Sequence, residues 1–495
     1  MAITRRRFLK SVAGALAGAS VLGAKHEPAA AQGNKRPNVL ILMVDEMRWD
    51  CLGVAGHPIV ATPNLDKLAR QGCYFPRTYT VSPVCSPARM SLFSGRYRQV
   101  HGVVRNNVAP HPNEVTLPYI LQAHGYATGM AGKLHLIGAG ARGIEWYRMF
   151  RANDPGFPPN GLSYDDWIKK KHPEIKVNVA AVGVPETMVK PDPAHYSIGT
   201  ALVPDEEFPT AWCADQAIAF IKQHAQQNKP WFFFCSMLKP HSPYVIPEPY
   251  ATMYKPEDMI LPKLSPELEA KVKAKIASIT NWKQLRHYIC DPNYLRPLMA
   301  HYYGSCTMVD AHCGRVLQTL DDLGLTDNTI VVFVADHGNM MGDKGRVFKG
   351  IMYEGSTRIP LIIRAPGFER GRIISDIVEI TDVMPTILDL CGIPVYEGIQ
   401  GKSLVGLMRG TERNWKNVAY SDLADKMIVQ GRYKLMTYSG FVKRGEPPPW
   451  ELYDLEDDPK EERNLAGERR YAALVAELQH KLEQKLAERP PAPKL

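Results

Sequence analysis

The sequence predicts an α/β fold: a large, mostly parallel sheet flanked by helices, with a smaller C-terminal antiparallel sheet plus helix. Three observations carry this prediction. Continuous apolar runs of eight or nine residues, PNVLILMVD, WFFFCSML and TIVVFVAD, recur along the chain. Strands buried on both faces lose the period-2 alternation of a half-exposed sheet and read in this way. Longer helical segments separate the runs, and strands alternating with helices build parallel sheets. After about residue 400 the texture changes to the short segments NVAYSDL, KMIVQ and YKLMTYS, the pattern of an antiparallel sheet with one wet face.

The elements follow in order. Pro37–Asp45 is a buried strand that delivers Asp45 to its C-terminal edge. TPNLDKLARQG (Thr62–Gly72) is a short helix closed by glycine, and CYFPRTYT is a strand. SPARMSLFSG and TLPYILQAHG are helices, and YATGMAG is the next strand. The amphipathic helix Pro209–Asn228 leads into the strand Trp231–Leu238, and the helix LRPLMAHYYGSCTMVDAHCGRVLQTLDDLG leads into Thr329–Asp336. Beyond the late strands, LEDDPKEERNLA is a charged turn, and a solvated helix runs from Arg469 to about Glu488. The expected division is an export signal at 1–31, a catalytic domain at 32–400 and a C-terminal subdomain at 401–495.

The first 31 residues stand apart. A basic start, TRRRFLK (Thr4–Lys10), precedes the apolar run VAGALAGASVLGA (Val12–Ala24) and the small residues AAAQ (Ala29–Gln32). This is the pattern of an export signal, and its arginine pair resembles a twin-arginine signal. At 13 residues the apolar run is too short for the ~20 that span a bilayer. The expectation is therefore a bacterial periplasmic or secreted protein, carried folded by the twin-arginine translocase, with no stable membrane span. The leader holds a net +4 (Arg5, Arg6, Arg7, Lys10 and Lys25 against Glu27), which leaves +5 of the formal +9 on the rest. That mild basic balance favours anionic small substrates or glycans. With no Arg/Lys stripe interleaved with aromatics, it gives no argument for nucleic acid. Nine cysteines without a C-x-x-C pair argue against a cysteine zinc site. The odd count leaves at least one unpaired, and Cys85 is the natural suspect.

Cys85 opens CSPAR. Proline is favoured at a first helical position, so Ser-Pro marks a helix start there. Cys85 then sits where free N–H groups and the positive end of the helix dipole point outward, with Arg89 one turn on along the same face. Other groups gather at the same edge of the predicted sheet. GYATGMAGKLH brings Lys133 and His135 to a strand end, KPHSPY brings His241, and Lys349 follows Asp336 by 13 residues. Asp45 with Asp336 and His337 would make an oxygen-rich site for a cation of the calcium or magnesium kind. In α/β sheets, ligands bind beyond the carboxyl ends of the strands.

Taken together, CSPAR…SG, GYATGMAGKLH, PHSP, ADHGN…K and LYDLEDDPKEERNL (Leu452–Leu465) resemble the formylglycine-dependent sulfatases of the alkaline-phosphatase superfamily, from Asn38 to about Leu465. The resemblance implies an alkaline-phosphatase-like fold and hydrolysis of an alkyl, aryl or sugar sulfate ester. It implies that a maturation enzyme oxidises Cys85 to formylglycine (3-oxoalanine), whose hydrate attacks sulfur. It places Asp45, Glu46, Cys85, Asp336 and His337 around a cation, calcium with magnesium as the alternative. Arg89 and Lys133 would orient the hydrate, Lys349 and His241 would bind sulfate oxygens and assist the leaving alcohol, and His135 would be the base that collapses the hydrate. Lys133 would share in substrate binding, and Asn106 would reach the substrate oxygens.

Three positions depart from the family pattern. Glu46 stands where Asp, Gln or Asn is most frequent, His337 where many relatives have Asn, and Leu134 where an aromatic is usual. The Asp-His pairing also occurs in phosphonate monoester hydrolase-like members. A phosphonate monoester or phosphodiester hydrolase with the same nucleophile is therefore the alternative. A non-catalytic sulfated-ligand binder would have lost one of Cys85, Arg89, Lys133, His135, His241 or Lys349, and all are present. A two-zinc phosphatase would use Ser or Thr at position 85. Trp146, Tyr147, Trp167, Tyr196 and Trp282 lie in the expected specificity loops, about 136–207 and 242–300, as stacking or packing groups.

Overall fold

A computed structural model describes residues 36–151, 156–157, 160–174, 198–442 and 446–493. The export signal expected at 1–31 and Tyr196 lie outside these residues. Among the described residues, the main sheet has eight strands in the order Arg372–Ile373, Cys73–Tyr74, Leu361–Arg364, Thr329–Ala335, Asn38–Asp45, Trp231–Pro240, Ala127–Gly132 and Trp146–Met149. The last five of that order are mutually parallel. Leu361–Arg364 runs against both its neighbours and makes the sheet mixed. The three continuous apolar runs are its three adjacent central strands. Every residue of Asn38–Asp45 is buried, as both-face coverage by helices requires.

Pro209–His224 packs on one of these strands, with Phe220 against Phe233 and Trp146. Trp146 is thus a packing residue. The helix Pro292–Asp322 sends the Tyr302 hydroxyl to the end of the first strand. The expected single strand CYFPRTYT is instead two pieces, Cys73–Tyr74 and Thr78–Tyr79, which belong to different sheets. Pro76 lies between them and cannot donate to a ladder, so pairing stops there.

The C-terminal sheet is antiparallel, in the order Val418–Asp422, Lys426–Gln430, Tyr433–Thr437 and Trp450–Asp454. Its alternation sorts the side chains. Ile428, Leu435 and Leu452 face Leu478 and Leu482 of the helix Ala472–Ala487, while Met427, Val429 and Met436 face Tyr79, Met352 and Tyr353. Between the two sheets lies a fully buried lysine. Lys434 Nζ is 3.1 Å from Glu354 and 2.8 Å from Glu461. Burial pushes the Glu461 carboxyl up to about 7, against the pull of Lys434.

Removing one member of a buried ion cluster costs about 3–5 kcal/mol, because the others stay buried without a counter-charge. Lys434→Met should therefore destabilise the fold by about that amount in chemical denaturation. The loss should be larger at pH 8 than at pH 5. A carboxyl whose pKa is raised on folding adds stability at low pH and loses it as pH rises through the folded-state value. An equal loss at both pH values would refute this account of the cluster.

Candidate active site

Parallel register sets two acids side by side. Val44 pairs with Ala335, so Asp45 and Asp336 leave adjacent strand ends together. The chain then turns sharply at Glu46, whose φ is 70°. Its N–H donates to Asp336 Oδ1 at 3.0 Å, and its carbonyl accepts from the Tyr302 hydroxyl at 2.8 Å. On the other side, Gly132 has φ 98°, and a Cβ there would lie 2.0 Å from the Ser236 carbonyl oxygen. Only glycine permits that approach. The chain then presents Lys133, whose ammonium pairs with Asp45 Oδ2 and lies 3.6 Å from Cys85 Sγ.

The helix that carries Cys85 spans Cys85–Ser94. It begins two residues before Pro87, earlier than the Ser-Pro signal predicts. The first-turn N–H groups have no helical partner in any case, so proline fits at its third position too. Asn106 Oδ1 accepts from the Ser86 N–H at 2.9 Å, and Ser86 Oγ donates to the His135 carbonyl at 2.7 Å. Asn106 and His135 are therefore one residue from Cys85. Cys85 Sγ lies 3.3 Å from His337 Nε2 and 3.7 Å from Asp45 Oδ1.

Arg89 lies beneath, 1 % exposed. Its Nε donates to Asp336 Oδ2 at 2.9 Å, one terminal nitrogen to Asp45 Oδ2 at 3.1 Å, and the other to the Lys133 carbonyl at 2.7 Å and Ser236 Oγ at 2.8 Å. The remaining residues form an adjoining group. Glu46 Oε2 is 2.6 Å from Lys349 Nζ and 3.4 Å from His241 Nε2, and Oε1 accepts from Asn339 at 2.7 Å. The cleft opens at Lys133, Lys349 and His241, whose side chains are partly exposed.

The electrostatics favour an anion at position 85. Burial and the Asp45 charge both oppose a thiolate there. Lys133, Lys349 and His337 outweigh them and hold the Cys85 thiol well below its usual range. Burial likewise opposes ionised Asp45, but Lys133, His241, Arg89 and Lys349 hold it well below the carboxylate range. Burial works against charged His337, and Asp336 and Cys85 raise it to about 9. Burial together with Lys349 pushes His241 well down, so it stands as neutral imidazole.

The donor set suits a divalent cation. One ligand atom each from Asp45, Cys85, Asp336 and His337 lies within 4.8 Å of the others, and all four residues are buried. Asp45, Glu46 and His241 form a second such group. The two carboxylates supply hard oxygen donors of the kind divalent cations such as calcium and magnesium take.

The structure thus brings Asp45, Glu46, Cys85, Arg89, Asn106, Lys133, His135, His241, Asp336, His337 and Lys349 to one sheet edge. It also adds residues that the sequence reading passed over. Lys239 is buried and bonds the Pro243 and His241 carbonyls, which holds the His241 loop; burial lowers it to about 7. Asn339 and Ser236 hold Glu46 and Arg89. Lys239 and Asn339 sit inside the motifs KPHSPY and ADHGN, but neither spacing nor residue type shows which neighbour in a motif is buried. An open groove of about 750 Å³, lined by Asn64, Asp215, Lys222 and Arg315, lies on other elements and includes none of these residues.

Comparison with known proteins places this geometry in context. The family model described as Sulfatase matches residues 37–393, and the model described as N-sulphoglucosamine sulphohydrolase, C-terminal matches residues 342–488. An arylsulfatase of Clostridium perfringens (strain 13 / Type A) is 32% identical over 467 residues, covering 89% of this chain and 92% of its own. An ulvan-active sulfatase of Formosa agariphila is 29% identical over 470 residues, covering 92% and 81%. Among solved structures, the phosphonate monoester hydrolase of Agrobacterium radiobacter superposes with a TM-score of 0.76 at 27% identity, covering 91% of this chain and 96% of its own.

In protein that carries Cys85 as an unmodified thiol, iodoacetamide at pH 7 should alkylate Cys85 ahead of Cys51, Cys73 and Cys213, whose thiols burial raises. Lys133→Met should move the pH midpoint of the reaction at Cys85 up by about one unit or more. Peptide masses over a time course at several pH values give the profile, and an unchanged midpoint in the variant would exclude Lys133 as the group that stabilises the thiolate.

Proposed function

The chain belongs to the sulfatase family and is a sulfuric ester hydrolase, and we propose that it cleaves an alkyl, aryl or sugar sulfate ester with a formylglycine made from Cys85 and a bound calcium ion, magnesium being the alternative. The observation that carries this reading is the surroundings of position 85: a buried helix-start residue ringed by Lys133, His337 and Asp45. A pocket that favours an anion at position 85 also favours the oxyanion of an aldehyde hydrate.

Asp45, Asp336, His337 and position 85 would hold the cation, which supplies a Lewis acid for a sulfate oxygen and lowers the pKa of a nearby hydroxyl. The formylglycine hydrate supplies two hydroxyls, one to attack and one to release the sulfate by elimination. The protein side chains do the rest. Arg89 fixes Asp45 and Asp336 in place. Lys133 and the first turn of the Cys85 helix stabilise negative charge at position 85. Lys349 and His241, at the mouth, bind the non-bridging oxygens and receive the leaving alcohol. His135 is the base on this reading, and its buried Nδ1 has no hydrogen-bond partner among the described residues.

A phosphonate monoester or phosphodiester is the second reading. The fold match to a phosphonate monoester hydrolase and the Asp336-His337 pair favour it. The leader sequence supports a periplasmic or secreted location: TRRRFLK before a short apolar run suits twin-arginine export of a folded chain, with Cys85 modified beforehand by a maturation enzyme. Among the described residues no helix is long and apolar enough to cross a membrane.

Two measurements test the proposal. The tryptic peptide Thr78–Arg89 from the natural host should have the mass of an aldehyde in place of the thiol. His135→Ala should lower turnover of 4-nitrophenyl sulfate by about 10²–10⁴-fold, as loss of a general base does. An unmodified Cys85 in protein that still hydrolyses the ester would overturn the formylglycine mechanism. Faster turnover of a phosphonate monoester than of every sulfate ester in a panel would establish the second reading.

A further inference from the structure

The segment from His101 to His111 closes on itself beside the Cys85 helix. The His111 N–H donates to the His101 carbonyl at 3.0 Å, and the Val103 N–H donates to His101 Nδ1 at 3.1 Å. Two anchors flank residue 105. Arg98 donates to the Val104 carbonyl at 2.8 Å and is itself held by Asp422 at 2.6 Å. Asn106 Oδ1 accepts the N–H of Ser86, the residue next to position 85, at 2.9 Å. The backbone of Arg105 is therefore fixed on both sides, and its Cα lies about 3.8 Å from that of Asn106.

The Arg105 side chain is used by none of these contacts. It is exposed, and among the described residues its guanidinium has no hydrogen bond, ion pair or ring contact. The neighbouring cations differ: Arg98 is paired with Asp422, Arg89 with Asp336 and Asp45, and Lys133 with Asp45. An exposed arginine is ordinarily just solvated, and many surface cations have no partner. Arg105 stands apart by its place, because the next residue touches the turn that carries position 85. A braced backbone leaves only one side chain to order when a ligand arrives. The planar fork of a guanidinium matches the paired oxygens of a carboxylate or a sulfate.

We propose that Arg105 reads a second acidic group on the alcohol half of the ester, so that the preferred substrate is a sugar sulfate that also carries a carboxylate or a second sulfate. This rests on the ester-hydrolysis reading of the site. The group to be cleaved sits at position 85 among Lys133, Lys349 and His241, so the alcohol extends outward, past the residues that border the site. Arg105 borders it through Asn106 and brings a charge that no carboxylate of the protein cancels. A neutral alcohol gains nothing from that charge, whereas an acidic one gains a charge-assisted bond. The attraction acts in solvent, so its size is that of an exposed ion pair and it fades with salt.

The test separates binding from turnover. In Cys85→Ala protein with calcium present, calorimetry measures the affinity for phenyl sulfate, para-carboxyphenyl sulfate and hydroquinone disulfate. At an ionic strength of about 0.01 M, at least one of the two doubly charged probes should bind about fivefold tighter than phenyl sulfate, the worth of one charge pair about 4 Å apart in water. The probe with the larger gain names the acid that Arg105 reads. Arg105→Ala should remove the gain, Arg105→Lys should keep most of it, and Arg105→Glu should make the doubly charged probes the weaker binders by a similar factor. At about 1 M salt, where screening shortens the reach of a charge to about 3 Å, the four proteins should converge. A change that only loosened the loop would weaken all three probes together and would not follow the sign of the charge. Equal affinities for the three probes in the parent overturn the proposal, as does a ratio that is the same in Arg105→Ala and Arg105→Glu as in the parent. If the ratios shift as expected but the Cys85-bearing, modified protein hydrolyses no sulfate or phosphonate ester, the assignment of Arg105 stands and the reading of the activity falls.

Discussion

The site depends on one buried guanidinium. Asp45 and Asp336 end adjacent parallel strands and would repel one another in a dry setting. Arg89 lies between them and ties both to the Lys133 carbonyl and Ser236. Three strand ends, a fourth strand and one helix thus meet on a single side chain. A guanidinium suits this position because its planar fork reaches several acceptors at once and keeps its charge when buried. Lysine would offer one point charge and fewer directed donors. With Arg89 absent, Asp45 and Asp336 would each lose a buried charged partner at the centre of the sheet edge, a cost of about 3–5 kcal/mol. The position of Lys133, and through it the charge at position 85, follows from the same bonds.

Much of this was legible in the sequence, for identifiable reasons. A strand covered on both faces must be apolar throughout, so NVLILMVD, WFFFCSML and TIVVFVA announce central strands, and parallel pairing then puts their terminal polar residues at one edge. Period-2 alternation likewise marked the C-terminal sheet, whose two faces sort Ile428 from Met427. Other features have no such signature. The reversed strand Leu361–Arg364 is apolar whichever way it runs, so its direction does not show in LIIR. The division of CYFPRTYT between two sheets depends on partners distant in the chain. Buried Lys239 and Lys434 look like surface lysines, because what makes them internal is the carbonyls and carboxylates brought to them by other segments.

Backbone strain marks where strands end and chemistry begins. Glu46 and His135 hold positive φ without being glycine, at 70° and 58°. Such conformations cost about 1–3 kcal/mol each and persist where the surroundings enforce them. Here the enforcing contacts are visible: Asp336 and Tyr302 hold the Glu46 backbone, and Ser86 holds the His135 carbonyl. The turn at Glu46 sends a carboxylate toward Lys349, and the turn at His135 sets its carbonyl against Ser86 of the Cys85 helix.

On the proposed function, a sulfate ester and a phosphonate monoester present the same charge to the pocket floor. Both are tetrahedral monoanions, and every charged group at the floor is fixed by pairing to another. Arg89, Lys133 and Lys349 each face a carboxylate. Discrimination between the two must come from the leaving group and from whatever lines the mouth beyond Lys133, His241 and Lys349. Part of that wall is the His241 loop, and its shape is fixed by Lys239, which spends its ammonium on two backbone carbonyls and offers no charge to the ester. A lysine used in this way keeps His241 in place while leaving the charge balance of the floor unchanged. Recognition of the alcohol can therefore vary in the surrounding loops without disturbing the group that is cleaved.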